Sequence, residues 1–385
     1  MAIDLGGEYL ALARKYRPQV FEDVVGQEHV LKAVSHSIDA GRTHHAYLLT
    51  GTRGIGKTTI ARIFAKALQC REGVGSHPCG KCDACEGITE GNFPDVIEID
   101  AASQTKVDDT RQLLENTHYP PINGRYKIYI IDEVHMLTTS SFNALLKTLE
   151  EPPAYVKFIL ATTDPHKIPT TVLSRCLQFR LRSLNTDEII GQLTKICTKE
   201  SITYEAEALT ALARAARGSM RDALSLCDQA IALGNGSLTS QSVQSMLGTV
   251  GDALIQEIFE LLSVKSDPNA QTPTAFATLL ESIRSKAPNY KSLLDELVIA
   301  FHDLALFQLI GDTKLEVFSF GTSMLRTYAS RMRPEQIQLY YQIVLEGVQE
   351  YQYAADGRSA FEMTLLRLLA FTPEKKNSLE ASQTA

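Results

Sequence analysis

With 385 residues, 44% of them apolar and 22% charged, the chain has the composition of a globular protein long enough for two or three domains. Its net charge of −7 excludes a protein that coats nucleic acid by bulk charge, so any such contact must come from a local basic patch. No apolar run approaches the roughly 18 residues needed to cross a bilayer, and MAIDLGGEYLALARKYRP lacks an apolar signal core, so a cytoplasmic, non-membrane protein is expected.

AYLLTG, from Ala46, is a near-continuous apolar run of the kind that forms strands buried on both faces of a parallel sheet. GTRGIGKT follows. Gly51, Thr52, Arg53, Gly54, Ile55, Gly56, Lys57 and Thr58 fit the phosphate-loop pattern, and Thr59 leads into the helical TTIARIFAKALQ. The glycines let backbone N–H groups curl around a phosphate chain, Lys57 offers a charge to its β and γ groups, and the Thr58 hydroxyl suits magnesium. The helix that starts there aims its positive end at the anion.

At the far end of that helix stand four of the seven cysteines, Cys70, Cys79, Cys82 and Cys85, spaced C-x8-C-x2-C-x2-C. Without a signal peptide, clustered thiols point to metal rather than disulfides. Four thiolates complete a tetrahedral zinc shell with no position open for catalysis. The Gly-rich insertion 70–85 has too few apolar groups for a core of its own, and zinc supplies that folding free energy. His77 lies inside it, but four sulfurs suffice. Cys176, Cys197 and Cys227 read as small buried apolar residues.

DVIEIDA (from Asp95), KIYIID (from Lys127) and KFILATT (from Lys157) are further strand patterns, alternating with helical stretches such as SFNALLKTLEE, which Pro152 and Pro153 stop. The alternation implies a doubly wound α/β domain. KIYIIDEVHM delivers Asp132 and Glu133 at the C-terminal end of a strand, where ligands of such sheets bind. Asp132 suits magnesium, and Glu133 suits the general base that orients and deprotonates a water. After about Arg180 strands are no longer expected: TDEIIGQLTKICTKE, EAEALTALARAA and MRDALSLCDQAIAL make a small three-helix bundle. From about Val243 to Phe371 the apolar spacing stays helical, and PEKKNSLEASQTA is a polar tail.

The chain resembles the AAA+ ATPases, and closely resembles the gamma/tau family of bacterial DNA polymerase III, the motor subunits of sliding-clamp loaders. The resemblance rests on KYRPQVFEDVVGQEHV, HHAYLLTGTRGIGKTT, the Cys70–Cys85 knot, EIDAASQTKVDDTR, IDEVHMLTTSSFNALLKTLEEPP, LATTDPHKIPTTVLSRCLQFR and GSMRDALSLCDQA, and runs on through QLYYQ and EMTLLRLLAF. It implies an AAA+ P-loop domain over 1–180, with a parallel sheet, flanking helices and the zinc-knot insertion. A small three-helix lid over 181–242 and an all-α collar over 243–371 follow, with a tail over 372–385. It places Tyr16, Arg17 and Pro18 over the adenine and ribose of ATP, with Val24 and Val25 lining the base pocket. Thr163 is then the sensor of the γ-phosphate, and Arg221 reaches that phosphate from the lid. Arg175 becomes an arginine finger offered to the ATP of a neighbouring subunit. The implied partners are delta and delta-prime subunits and further copies of the chain in a pentamer, the sliding clamp, and primer–template DNA. Contacts to the polymerase core and helicase are expected only in a C-terminal extension outside these 385 residues.

Lys106, Arg111 and Lys147, near expected helix starts and polar turns, suit phosphate contacts without sequence readout, although many relatives have Arg where this chain has Gln104. They also suit ordinary solvated helix faces. Two other functions compete with a clamp-loading ATPase. A structural subunit that binds ATP without hydrolysis would not need Lys57, Asp132, Glu133 and Arg175 together. A branch-migration helicase would be expected to end in a winged-helix DNA-binding region rather than in a helical collar.

Overall fold

The computed structural model describes residues 10–103, 116–247, 250–264, 272–286, 289–311, 318 and 320–371. It divides into two compact units, Met1–Val243 and Gln244–Ala385.

In the first unit five parallel strands, β1 (Ala46–Thr50), β2 (Val96–Asp100), β3 (Lys127–Asp132), β4 (Val156–Thr162) and β5 (Leu177–Arg180), form one sheet in the order β2-β3-β4-β1-β5. Every residue of β1 and β4 is buried, because both strands are interior and helices cover both faces. Side-chain alternation sorts β3 cleanly. Ile128 and Ile130 pack with Val34, Ile60, Phe64 and Ile88 from the helices Glu28–Asp39, Lys57–Gln69 and Asp83–Glu90. Tyr129 and Ile131 face Phe142, Leu145 and Leu149 of the helix Thr139–Glu150.

Three differences from the sequence reading have physical causes. Edge strand β5 reads LQFR, mostly exposed, and lacks the apolar run that marks a buried strand. The cysteine insertion is anchored rather than free-standing: Cys70 caps the helix Lys57–Gln69, and Cys85 lies within Asp83–Glu90, whose Ala84 and Ile88 join the main core. Strands also continue past Arg180, since Thr203–Tyr204 and Ser237–Leu238 make a short parallel pair, too brief to carry a periodicity. That pair accompanies the three helices Thr186–Lys199, Ala206–Ala215 and Met220–Leu233. The first of them starts on a reciprocal cap in which Asn185 accepts from the Glu188 N–H and Glu188 accepts from the Asn185 N–H.

The second unit is helical throughout its described residues, with Val250–Val264, Thr272–Lys286, Tyr290–Ile310, Thr322–Arg331, Pro334–Glu350 and Gly357–Ala370 around a core of Phe259, Phe301, Tyr340 and Phe361. Gly347 admits Thr364 so closely that a Cβ there would stand 2.5 Å from its hydroxyl. Among the described residues, no helix is long and apolar enough to cross a membrane.

Candidate nucleotide site and metal centre

Strand β1 runs directly into the loop Gly51–Gly56, and the helix Lys57–Gln69 begins with Gly56 as its N-cap at φ +102°. That conformation favours glycine and leaves the loop's N–H groups at a helix N-terminus. At Gly54 the need is spatial as well: a Cβ would stand 2.0 Å from the Ser219 hydroxyl, because the loop lies against the start of Met220–Leu233. The Arg221 N–H donates to the Gly54 carbonyl at 3.3 Å, which puts exposed Arg221 in the first turn of a helix touching the phosphate loop. Ile55 is buried beneath the loop, while Thr52 and Arg53 are exposed and Thr59 is half-buried. Lys57 is 5% exposed, and its ammonium donates to the carbonyls of Gly51 and Thr52 at 2.9 and 2.8 Å. Burial pushes its pKa down, and the charges of Glu133 and Asp132 oppose that shift.

Across the loop, the Thr58 hydroxyl donates to Asp132 Oδ2 at 2.5 Å, so the two groups expected to share a magnesium ion already meet. Next to it Glu133, the first residue past β3, adopts φ +47°, an uncommon conformation for a non-glycine residue. Glu133 Oε2 accepts from the Thr163 N–H at 3.1 Å and from its hydroxyl at 2.8 Å. The structure thus joins the expected base to the expected sensor. His135 is a member that sequence reasoning missed: its Nδ1 lies 3.3 Å from Glu133 Oε2 and 2.9 Å from Thr162 Oγ1. A histidine two residues beyond an acidic pair was the available signal.

The segment before the sheet is tied to the three-helix region. The Tyr16 hydroxyl bonds Glu200, Lys15 pairs with Glu200 at 2.5 Å, and the Leu12 N–H donates to Asp228 at 2.8 Å. Burial, the bond to Glu200 and that carboxylate's charge push the Tyr16 pKa up to about 12. Burial lowers the Arg17 pKa, with Arg62 and Arg221 adding to the effect and Glu98 and Asp132 opposing it. Arg17 and Pro18 border a small cleft with Thr59, Arg62 and Lys66. Val24 is half-buried against the core, and Val25 beside it is half-buried. Gln27, also missed, is fully buried: it donates to the Arg182 carbonyl at 2.7 Å and accepts from the Arg182 N–H at 3.0 Å, clamping the chain where it leaves β5.

Arg175 stands apart from this constellation. Its guanidinium donates to the Thr171 carbonyl and to Glu150 Oε1, each at 2.7 Å. Lys147 is exposed on the helix Thr139–Glu150, whereas Lys106, Arg111 and Gln104 lie outside the described residues.

The sulfurs of Cys70, Cys79, Cys82 and Cys85 lie within 4.8 Å of one another. Thiolates about 2.3 Å from a tetrahedral zinc ion are separated by about 3.8 Å, so the four sulfurs need to draw together by no more than about 1 Å to hold that ion. The Cys79 N–H points at Cys70 Sγ at 3.3 Å. Arg71 forks onto Asp83 at 2.9 and 2.7 Å, Ser76 bonds Asp39, and Arg125 bonds the Cys70 carbonyl. His77 is not drawn in, being 80% exposed and paired with Glu22.

Three family models match successive parts of the chain: "DNA polymerase III, delta subunit" over 26–185, "DNA polymerase III clamp loader subunit, ATPase lid domain" over 188–236, and "DNA polymerase III subunits gamma and tau domain III" over 238–380. The DNA polymerase III subunit tau of Escherichia coli is 51% identical over 365 residues, covering 95% of this chain and 56% of that one. The Bacillus subtilis subunit tau is 44% identical over 300 residues, 78% of this chain and 52% of the other. This chain thus spans little more than half the length of these tau relatives. The DNA polymerase III subunit gamma of Buchnera aphidicola subsp. Baizongia pistaciae is 44% identical over 363 residues, covering 94% of this chain and 96% of its own length. With a phosphate loop, a four-cysteine cluster and a relative matched almost end to end, the chain belongs to the gamma/tau family of DNA polymerase III subunits.

Proposed function

We propose that the chain is the ATPase motor of a replicative clamp loader. It binds ATP and magnesium at Gly51–Thr59, opens a ring-shaped clamp on binding, and closes it on primer–template DNA after hydrolysis. The observation that carries this reading is the meeting of Lys57, Thr58, Asp132, Glu133 and Thr163 at one end of the sheet. Family membership supports the assembly: delta, delta-prime and further copies of the chain in a pentamer, joined through the helical region 243–371, with the three-helix lid at 181–242.

In this reading Lys57 exchanges its loop carbonyls for phosphate oxygens, and Tyr16, Arg17, Pro18, Val24 and Val25 hold the rest of the nucleotide. Thr58 and Asp132 hold magnesium, which when bound supplies charge neutralisation on the phosphates. Glu133 takes the proton of the attacking water, aimed by His135, while Thr163 reports the γ-phosphate by leaving Glu133 for it. Arg221 reaches the phosphates from the lid. Arg175 serves the neighbouring subunit's site; its pairing with Glu150 leaves 34% of its side chain exposed, and such a pair costs at most about 1 kcal/mol to break. Cys70, Cys79, Cys82 and Cys85 hold zinc as a closed structural site, and Lys106, Arg111 and Lys147 contact DNA phosphates.

The direct test is ATP turnover by the chain alone and with delta, delta-prime, clamp and primed DNA. Turnover that rises sharply only in the full mixture is expected. A rate indifferent to every addition contradicts the reading.

A further inference from the structure

The helix Lys57–Gln69 carries the phosphate loop at its N-terminus and the first cysteine at its C-terminus. Its macrodipole places about half a positive charge at the first end and about half a negative charge at the second. Four thiolates around a divalent ion sum to a net charge of −2, so the cluster adds negative charge where the helix already has it. An uncompensated arrangement of this kind, half of it buried, is costly.

Lys66 supplies compensation. It lies one turn before Cys70, whose N–H donates to the Lys66 carbonyl at 2.8 Å, and it is 3% exposed. Among the described residues no carboxylate pairs with it, and its ammonium donates to Gln19 Oε1 at 2.5 Å. Buried lysines are rare without a counter-charge; burial lowers the Lys66 pKa, the charge of Cys85 opposes that shift, and Arg62 adds to it. Gln19 is the junction. Its Oε1 also lies 3.2 Å from the Thr89 hydroxyl, which donates to the Cys85 carbonyl at 2.8 Å. Its Nε2 donates to the Arg17 carbonyl at 3.0 Å. One side chain thus ties both helices of the cysteine cluster to the segment Tyr16–Pro18.

We infer that Lys66 and Gln19 couple the tetrathiolate metal site to the nucleotide-binding segment, so that metal affinity and nucleotide affinity depend on one another. The inference rests on the assignment of zinc and ATP above and gives the knot a purpose beyond holding its own loop. Coupling is reciprocal, so it can be read from the metal side in folded, loaded protein.

The experiment measures zinc affinity of the full chain at free zinc fixed by a chelator buffer, with and without a saturating non-hydrolysable ATP analogue and magnesium. Nucleotide is expected to tighten zinc about fivefold. Lys66→Met lowers zinc affinity about tenfold and removes the nucleotide effect. Gln19→Met removes the junction's hydrogen bonds without adding charge and leaves Lys66 in place, so zinc affinity falls less than in Lys66→Met while the nucleotide effect is lost, a split that a packing role does not produce. Equal zinc affinity with and without nucleotide in the unmodified chain overturns the coupling, provided that zinc and nucleotide are both bound. The full fivefold effect in Gln19→Met overturns it as well. A purified chain that takes up no zinc overturns the metal assignment and the inference with it, and one that binds zinc but no nucleotide overturns the ATP assignment in the same way.

Discussion

The two ends of the helix Lys57–Gln69 solve opposite problems. At the N-terminus, unpaired backbone donors and positive dipole invite an anion, and the chain adds conformational freedom at Gly56, closeness at Gly54 and a charge at Lys57. At the C-terminus, negative dipole meets four thiols, and the chain adds cations and covering bonds from Lys66, Arg71 and Arg125. The first end is equipped to change its contacts on binding. The second offers four thiols from the chain itself, enough for a closed tetrahedral zinc shell. In the proposed reading, a catalytic site and a structural site on one helix separate by what remains available: exchangeable hydrogen bonds at one end, four clustered thiols of the chain itself at the other.

This contrast breaks if substitutions at the two ends have similar consequences. The largest effect is expected outside both, at Arg175: Arg175→Ala should lower DNA-stimulated turnover of the assembled complex by about 10³–10⁵-fold. Nucleotide affinity, measured by equilibrium titration, should stay nearly unchanged. Glu133→Gln should follow, with turnover falling by about 10²–10⁴-fold while ATP and clamp binding persist. Turnover equal to that of the unmodified chain would place the base elsewhere. Lys57→Ala should weaken ATP binding itself, because it removes a buried charge aimed at the phosphates. At the closed end, Cys82→Ser should lower thermal stability and zinc content while lowering turnover by less than tenfold. Unchanged melting in metal-free protein would remove the structural role. The smallest effect belongs to Lys147→Ala, the loss of an exposed lysine proposed to contact DNA phosphate, which is expected to weaken DNA binding only a few-fold and to reduce its salt dependence.

Much of the phosphate site was legible because its chemistry is local. The Gly54 and Gly56 positions, Lys57 and Thr58 stand at fixed spacing, and the apolar run of β3 points Asp132 and Glu133 at the strand end. The cysteines were legible for the same reason. What escaped depends on contacts between distant parts of the chain. Gln27 meets Arg182 across 155 residues, and Lys66 meets Gln19 across 47, with no periodicity or motif to announce either. Strand β5 escaped because its pairing with β1 comes from backbone hydrogen bonds at an exposed edge rather than from apolar burial. His135 sat in plain view, but its bond to Thr162 requires β3 and β4 to be neighbours.

In the proposed reading the site is completed by an arginine from an adjacent subunit, and this can be tested by mixing two inactive chains. Arg175→Ala keeps its phosphate loop, and Lys57→Ala keeps its arginine. Assemblies containing both, with delta, delta-prime, clamp and primed DNA present, are expected to regain turnover at interfaces where an intact loop faces an intact arginine. The measurement is ATP hydrolysis in assemblies whose mixed composition has been verified. Turnover well above that of either variant alone is the predicted result; none above background, or full DNA-stimulated turnover by an isolated single chain, contradicts the account.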